Sequence, residues 1–161
     1  MNYSARKGFT LIEILIVVAI IAILASVVLV GLGPTQQLGR DSRRVSDLHE
    51  VQNGLELYYN KNGHYPNGEA TWAVFQTDLT GAGVGITAVP NDPSSGHNYI
   101  YAWTTGGAAY ELEATMENNG SSVWSNYTAP VFTANGETGG TAPTCAGPGG
   151  ATPDLQYCIT L

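Results

Sequence analysis

Arg6-Lys7-Gly8-Phe9-Thr10-Leu11-Ile12-Glu13 opens an apolar run that continues to Leu32. Phe9 to Leu32 is 24 residues, about 36 Å as a helix at 1.5 Å per residue. A hydrocarbon core of about 30 Å needs roughly 20 residues, so the run is long enough to span one. A secretory signal would have a shorter apolar stretch closed by a small-x-small cleavage site. Here Ala25 and Ser26 are small, but the run goes on through Val27, Val28, Leu29 and Val30. Any cut belongs before the run. One carboxylate, Glu13, interrupts the apolar residues near their start. Asp, Lys or Arg at the centre of a spanning helix costs about 2.5–3.5 kcal/mol, and less near the ends. Glu13 therefore calls for a partner.

The run is followed by Gly31, Gly33 and Pro34. Proline inside a helix removes a hydrogen bond and clashes with the preceding turn. A break is expected here, as a flexible or melted segment or as a simple kink. Beyond it, Leu38, Val45, Leu48, Val51, Leu55, Tyr58 and Tyr59 recur at helical spacing. This predicts an amphipathic helix over 34–63, ending at the Asn62-Gly63 cap. The repeat lasts about three heptads, short for a coiled-coil dimer, so the apolar face is expected to carry a head domain.

Charge is distributed unevenly. All six Lys and Arg lie at or before Lys61, and eight acids with no Lys or Arg follow it. Such a C-terminal part repels phosphate backbones, and nucleic-acid binding by it is not expected. Arg6 and Lys7 favour a cytoplasmic N-terminus, but Arg40, Arg43 and Arg44 follow the other end of the run, so basic residues alone do not fix the orientation. The two cysteines, Cys145 and Cys158, decide it. A clustered pair behind a membrane segment points to a disulfide in an oxidising compartment, hence N-in and C-out. No third Cys or His in that stretch completes a zinc set.

Lys7-Gly8-Phe9-Thr10-Leu11-Ile12-Glu13 resembles the class III signal motif of type IV pilins and type II secretion pseudopilins. The resemblance extends through Arg40-Asp41-Ser42-Arg43-Arg44-Val45-Ser46-Asp47-Leu48 and through Leu55-Glu56-Leu57-Tyr58-Tyr59-Asn60-Lys61-Asn62-Gly63-His64-Tyr65-Pro66, about the first 66 residues. It implies that a prepilin peptidase removes the leader 1–8 by cutting after Gly8 and methylates Phe9. It implies that helices of neighbouring copies then bundle into a filament on an assembly platform. Glu13, fifth after the cut, would meet the Phe9 amine of a neighbour. The alternative, from the residues alone, is that Glu13 serves its own helix N-terminus. Many pilins place the helix-breaking proline at what is here Val30, so Pro34 departs from that pattern.

The remainder, 64–161, reads as a globular head with a disulfide-closed C-terminal region. Thr71 to Leu79 places Trp72, Phe75 and Leu79 on one side of a short helix. Tyr99–Trp103 and Tyr110–Met116 alternate about Gly106-Gly107 and predict a hairpin. Tyr110, Leu112, Ala114 and Met116 should lie on the long helix, with Glu111 and Glu113 facing water. From Asn118 onward the chain reads as irregular and exposed, with short strand candidates at 123–124 and 131–132. Asn91-Asp92-Pro93-Ser94-Ser95-Gly96 is rich in oxygen donors, and the resemblance raises a calcium site there with Asp92 as ligand. One carboxylate is a weak set, so a plain turn is the favoured reading. His49, His64 and His97 are scattered, and no catalytic spacing appears, so no enzyme and no other cofactor is expected. The expected fold is α+β: a long N-terminal helix, apolar over 9–33 and amphipathic over 34–63, with a small antiparallel β-sheet head. The expected role is a filament subunit, either a pilin or a pseudopilin. Outside filaments, the alternative is a membrane-anchored extracytoplasmic binding module.

Overall fold

The computed structural model describes residues 8–68, 71–120, 122–125, 127, 136–137, 145 and 155–161. The order of elements is α1 (Leu11–Asn62), α2 (Trp72–Gly81), β1 (Ile100–Trp103), β2 (Tyr110–Met116), β3 (Gly136–Glu137) and β4 (Leu155–Thr160). The chain divides into two units, Met1–Gln36 and Gln37–Leu161. The α+β class is as expected.

In the first unit α1 is apolar and uncovered. It holds a window long and apolar enough to cross a membrane, none of it buried. The helix runs on through Gly31, Gly33 and Pro34, with Pro34 inside it. Of the two expected forms of break, the melted segment is not present in this structure. Proline withholds one N–H from the carbonyl four residues earlier, and that loss alone does not end a helix. The stretch reads as continuous helix with one missing bond. The Leu11–Asn62 helix ends where expected. Gly63 takes φ +77° and donates its N–H to Tyr59 O at 2.8 Å, a left-handed cap that glycine reaches without a Cβ penalty.

In the second unit, the C-terminal half of α1 packs against α2 and the sheet. Leu48, Val51 and Leu55 of α1 join Trp72, Phe75 and Leu79 of α2 in the core. Thr71 caps α2, its hydroxyl accepting from Val74 N at 3.3 Å. From the sheet come Tyr101, Tyr110, Leu112, Ala114 and Met116. Phe75 stacks on Tyr101 with ring centroids 4.3 Å apart. Buried tyrosine hydroxyls find partners, as they must: Tyr101 donates to Pro66 O and Tyr99 to Asp47.

The hairpin is as expected: β1 and β2 are antiparallel, with Trp103 opposite Tyr110 and Ile100 opposite Glu113. Gly107 in the connection has φ +66°, and its carbonyl accepts from Tyr65 N at 2.8 Å. The sheet order is β3-β1-β2-β4, all antiparallel. Two expectations for the C-terminal region fail. Val123 and Trp124 lie in a 3-10 turn, Ser122–Trp124, and not in a strand. Residues 155–160 form a six-residue strand along β2 instead of exposed irregular chain. Leu155, Tyr157 and Ile159 are only partly exposed and pack against the core cluster. The candidate strand at 131–132 lies outside the described residues.

A larger correction concerns β2. Glu111 and Glu113 do not face water; they are 1 % and 2 % exposed. Alternation places them opposite Tyr110 and Leu112, but that second face is covered as well. Cys158 of β4 stands in register beside Glu113, and Cys145 is disulfide-bonded to it.

Candidate functional site

Among the described residues, three constellations carry polar chemistry. The first is the start of α1. Gly8, Phe9 and Thr10 are non-helical and exposed. The Gly8–Phe9 peptide bond thus precedes the helix. Arg6 and Lys7 lie outside the described residues. Glu13 has an internal partner: its Oε2 accepts from Thr10 N at 2.7 Å and from Thr10 Oγ1 at 2.8 Å. Glu13 N in turn donates to Thr10 Oγ1 at 3.3 Å. This reciprocal pairing is a capping box, in which a Thr and a Glu three residues later satisfy each other's orphan donors. Of the two readings of Glu13, the isolated subunit displays the one within its own helix. Thr10 was missed in the sequence, although T-x-x-E before an apolar run is a recognisable signature.

The second constellation ties α1 to two loops. Arg44, on the same helical face as Leu48, is 1 % exposed. Its Nε and Nη2 donate to both oxygens of Asp92, at 2.7 and 2.9 Å. Nη1 donates to Asp41 at 2.8 Å. Nη2 also lies 2.8 Å from Glu117 Oε1 and donates to Ser94 Oγ. Arg40 donates to Glu117 Oε1 at 2.8 Å. Asp41 further accepts the backbone N–H groups of Glu117 and Asn118. The Arg40 hydrogen bond, joined by Arg44 and Ser94, holds the Glu117 carboxyl down at about 2. Burial alone would raise Asp92, but the Arg44 hydrogen bonds and charge outweigh it and lower its pKa.

This bears on Asp92 as a calcium ligand. A calcium site needs six to eight oxygens turned toward a cation. Both Asp92 oxygens are turned toward a guanidinium, and Ser94 N donates to Asp92 Oδ1 as well. The residues present do not fit the ion, because a fixed organic cation already holds its place. Sequence reading could not see this, since Arg44 lies 48 residues from Asp92.

The third constellation is buried. Cys145 and Cys158 form the expected disulfide, with Cα atoms 5.6 Å apart. Glu111 Oε1 lies 2.8 Å from Cys145 Sγ. A disulfide sulfur has no proton to give, so the favourable form of this contact is a protonated Glu111 donating O–H to sulfur. The electrostatics agree: burial, then the charge of Glu113, push the Glu111 carboxyl up to about 7. Its other oxygen is buried without a hydrogen-bond partner among the described residues. The ligand atoms of Glu111, Cys145 and Cys158 lie within 4.8 Å of one another. With the sulfurs bonded to each other, they are not thiolate ligands.

Comparison with known proteins agrees with the first constellation. The family described as "Prokaryotic N-terminal methylation motif" matches residues 3–29. A type II secretion system core protein G from Escherichia coli K12 is 39 % identical over 61 residues, 38 % of this chain and 42 % of its own length. Against that relative the chain therefore spans less than half the length. Core protein G of Vibrio cholerae is 32 % identical over 103 residues, 60 % of this chain and 70 % of its own. The type IV wide pilus major component PilA4 of Thermus thermophilus is 33 % identical over 102 residues, 60 % of this chain and 78 % of its own. No solved structure matches the chain significantly. The last two relatives are matched over more than two thirds of their own length at more than 30 % identity, and the chain belongs to the family of type IV pilins and type II secretion pseudopilins.

Proposed function

We propose that this chain is the repeating subunit of an extracytoplasmic helical filament, of the type IV pilin kind. The observation that carries the reading is the uncovered apolar helix. From Phe9 to Val28 its large apolar side chains are between 51 % and 83 % exposed. Surface of that extent needs a cover. A bilayer supplies it for the single subunit, and the helices of other copies supply it in a filament. In this reading the precursor sits in the inner membrane, N-in and C-out. A prepilin peptidase cuts after Gly8. An assembly platform then moves subunits from bilayer to polymer. The cut creates a cationic amine at Phe9. The Glu13 carboxylate, held at the helix start by Thr10, exchanges part of that box for the amine of a neighbour and so sets the register.

The disulfide-closed C-terminal region supports pilin over pseudopilin, since the resemblance implies that pilins commonly close a C-terminal disulfide loop. A second reading, the major pseudopilin of a type II secretion system, is favoured by the likeness to the core G proteins of Escherichia coli and Vibrio cholerae. Deleting the gene in its host and scoring two phenotypes separates them. Loss of surface filaments with normal protein secretion supports the pilin. Retention of secreted proteins inside the envelope, with surface filaments intact, supports the pseudopilin.

A further inference from the structure

The Glu111 carboxyl lies beside the disulfide, 2.8 Å from Cys145 Sγ. We propose that Glu111 is the proton acceptor and donor of the Cys145–Cys158 couple, a built-in acid–base group that speeds closure of the disulfide. The inference goes beyond the filament reading and holds for pilin and pseudopilin alike.

The geometry is that of a general base. Glu111 Oε1 is 2.8 Å from Cys145 Sγ, within the reach that proton transfer requires. Glu111, Cys145 and Cys158 are 1 %, 8 % and 5 % exposed, so water has little access to carry the proton instead. A thiol is a poor nucleophile until ionised, and burial in apolar surroundings opposes ionisation. A neighbouring carboxylate removes that obstacle without making a second charge, since the proton passes from sulfur to oxygen. Several ionisable groups surround it. Glu113 lies two residues along β2 on the same face. Tyr127 accepts a hydrogen bond from Cys158 N through its hydroxyl. Glu137 stands in register across Ala102 from Glu111. No Lys or Arg follows Lys61 in the chain, so the C-terminal segment brings no cation to hold Glu111 ionised. Burial and Glu113 accordingly set the Glu111 carboxyl near 7, where it takes and returns a proton at neutral pH.

The chemistry balances with a disulfide-bearing oxidant, RSSR. The Cys158 thiol loses its proton as its sulfur attacks RSSR and forms a mixed disulfide, releasing RS⁻, which takes up that proton. Cys145 then gives its proton to Glu111, and its thiolate attacks Cys158 Sγ. The Cys145–Cys158 bond forms, the Cys158–SR bond breaks, and a second RS⁻ leaves with the electron pair and is protonated as Glu111 gives up its proton, which restores the carboxylate. The two cysteines are oxidised and RSSR is reduced to two RSH. A dithiol reductant runs the steps backward, with protonated Glu111 returning the proton to Cys145.

The test follows closure of the full-length protein in detergent. The disulfide is opened with dithiothreitol, oxidised glutathione is added, and free thiols are trapped and counted by mass from pH 5.5 to 9. Wild type should close with an inflection near 7, below the ordinary thiol value of about 8.5. Glu111→Gln should close about tenfold more slowly at pH 7, and the deficit should vanish by pH 9, where the thiol ionises unaided. Glu113→Gln removes the like charge and should shift the wild-type onset to lower pH. Equal rates for Glu111→Gln and wild type at pH 7 would overturn the proposal. So would a deficit that persists at pH 9, which would mark damaged folding. Should Glu111→Gln fail to fold, the wild-type profile decides: a single inflection at the ordinary thiol value overturns the proposal.

Discussion

Replacing Arg44 by Leu gives a demanding test of how the head is fastened to α1. The wild-type cluster sets two cations, Arg40 and Arg44, against three carboxylates, Asp41, Asp92 and Glu117. The Arg44, Asp41 and Asp92 side chains are 1 %, 0 % and 1 % exposed. Removing Arg44 leaves Asp92 buried and without its cation, and Glu117 with only Arg40. Breaking a buried pair from one side costs about 3–5 kcal/mol, because the remaining charge stays desolvated. At roughly 2–4 °C per kcal/mol for a chain of this size, the melting temperature should fall by about 6–20 °C. Circular dichroism of the full-length protein in detergent reads this directly. The pH dependence should also change sign. In wild type, Asp92 and Glu117 have lowered pKa values. Their contribution is therefore present above the ordinary carboxylate range and is lost as pH falls through their lowered values, about 2 for Glu117. In Arg44→Leu the crowded carboxylates favour the proton, so acidification from pH 7 to 5 should narrow the gap to wild type. Millimolar calcium should narrow it too, since the bared oxygens then resemble a cation site. Adding Asp92→Leu to Arg44→Leu should recover part of the loss. A fall of less than about 3 °C, with wild-type pH dependence, would refute the reasoning.

Three further outcomes follow from other residues. Glu13→Leu removes a charge from an apolar span, so the protein should be cut and reside in the membrane but yield no filaments; normal filaments in cells lacking any wild-type copy would leave Glu13 as a helix-end residue only. Glu111 carries a folded-state pKa raised to about 7, so its contribution is full below the unfolded value of about 4.3 and is lost as pH rises through 7. The melting temperature should decline over that window, and Glu111→Gln should flatten the decline. Gly107→Ala places a Cβ 2.3 Å from Tyr65 O at φ +66°; thermal melts should show a loss above the roughly 1–2 kcal/mol of left-handed strain alone.

The legible parts of this chain were periodic. Leu48, Val51 and Leu55 at helical spacing identified the buried face of α1, and Trp72, Phe75 and Leu79 did the same for α2. Alternation identified the β1–β2 hairpin. The misreadings have a common physical cause. Alternation says that Glu111 and Glu113 share a face, but not whether a second layer covers it. Here the layer includes a disulfide partner from a Gly- and Pro-rich segment with no period of its own. Strand β4 was hidden in the same segment, because a short run such as Leu155–Thr160 gains its order from pairing with β2. Arg44 was readable in part. It lies one turn before Leu48 on the buried face, and Asp41 precedes it by three, a spacing that pairs charges on a helix. Its partner Asp92 is remote in sequence and could be known only from the fold. The melted reading of Pro34 failed, because one missing hydrogen bond does not by itself end a helix.

The central claim is that α1 becomes a filament helix once the leader is removed. Mass spectrometry of the sheared, sedimented filament fraction from cells making this chain tests it most directly. The account predicts an N-terminal peptide beginning at Phe9, carrying a methyl group, in polymerised material. A chain still bearing Arg6 and Lys7, found in the membrane and absent from any polymer, would contradict it.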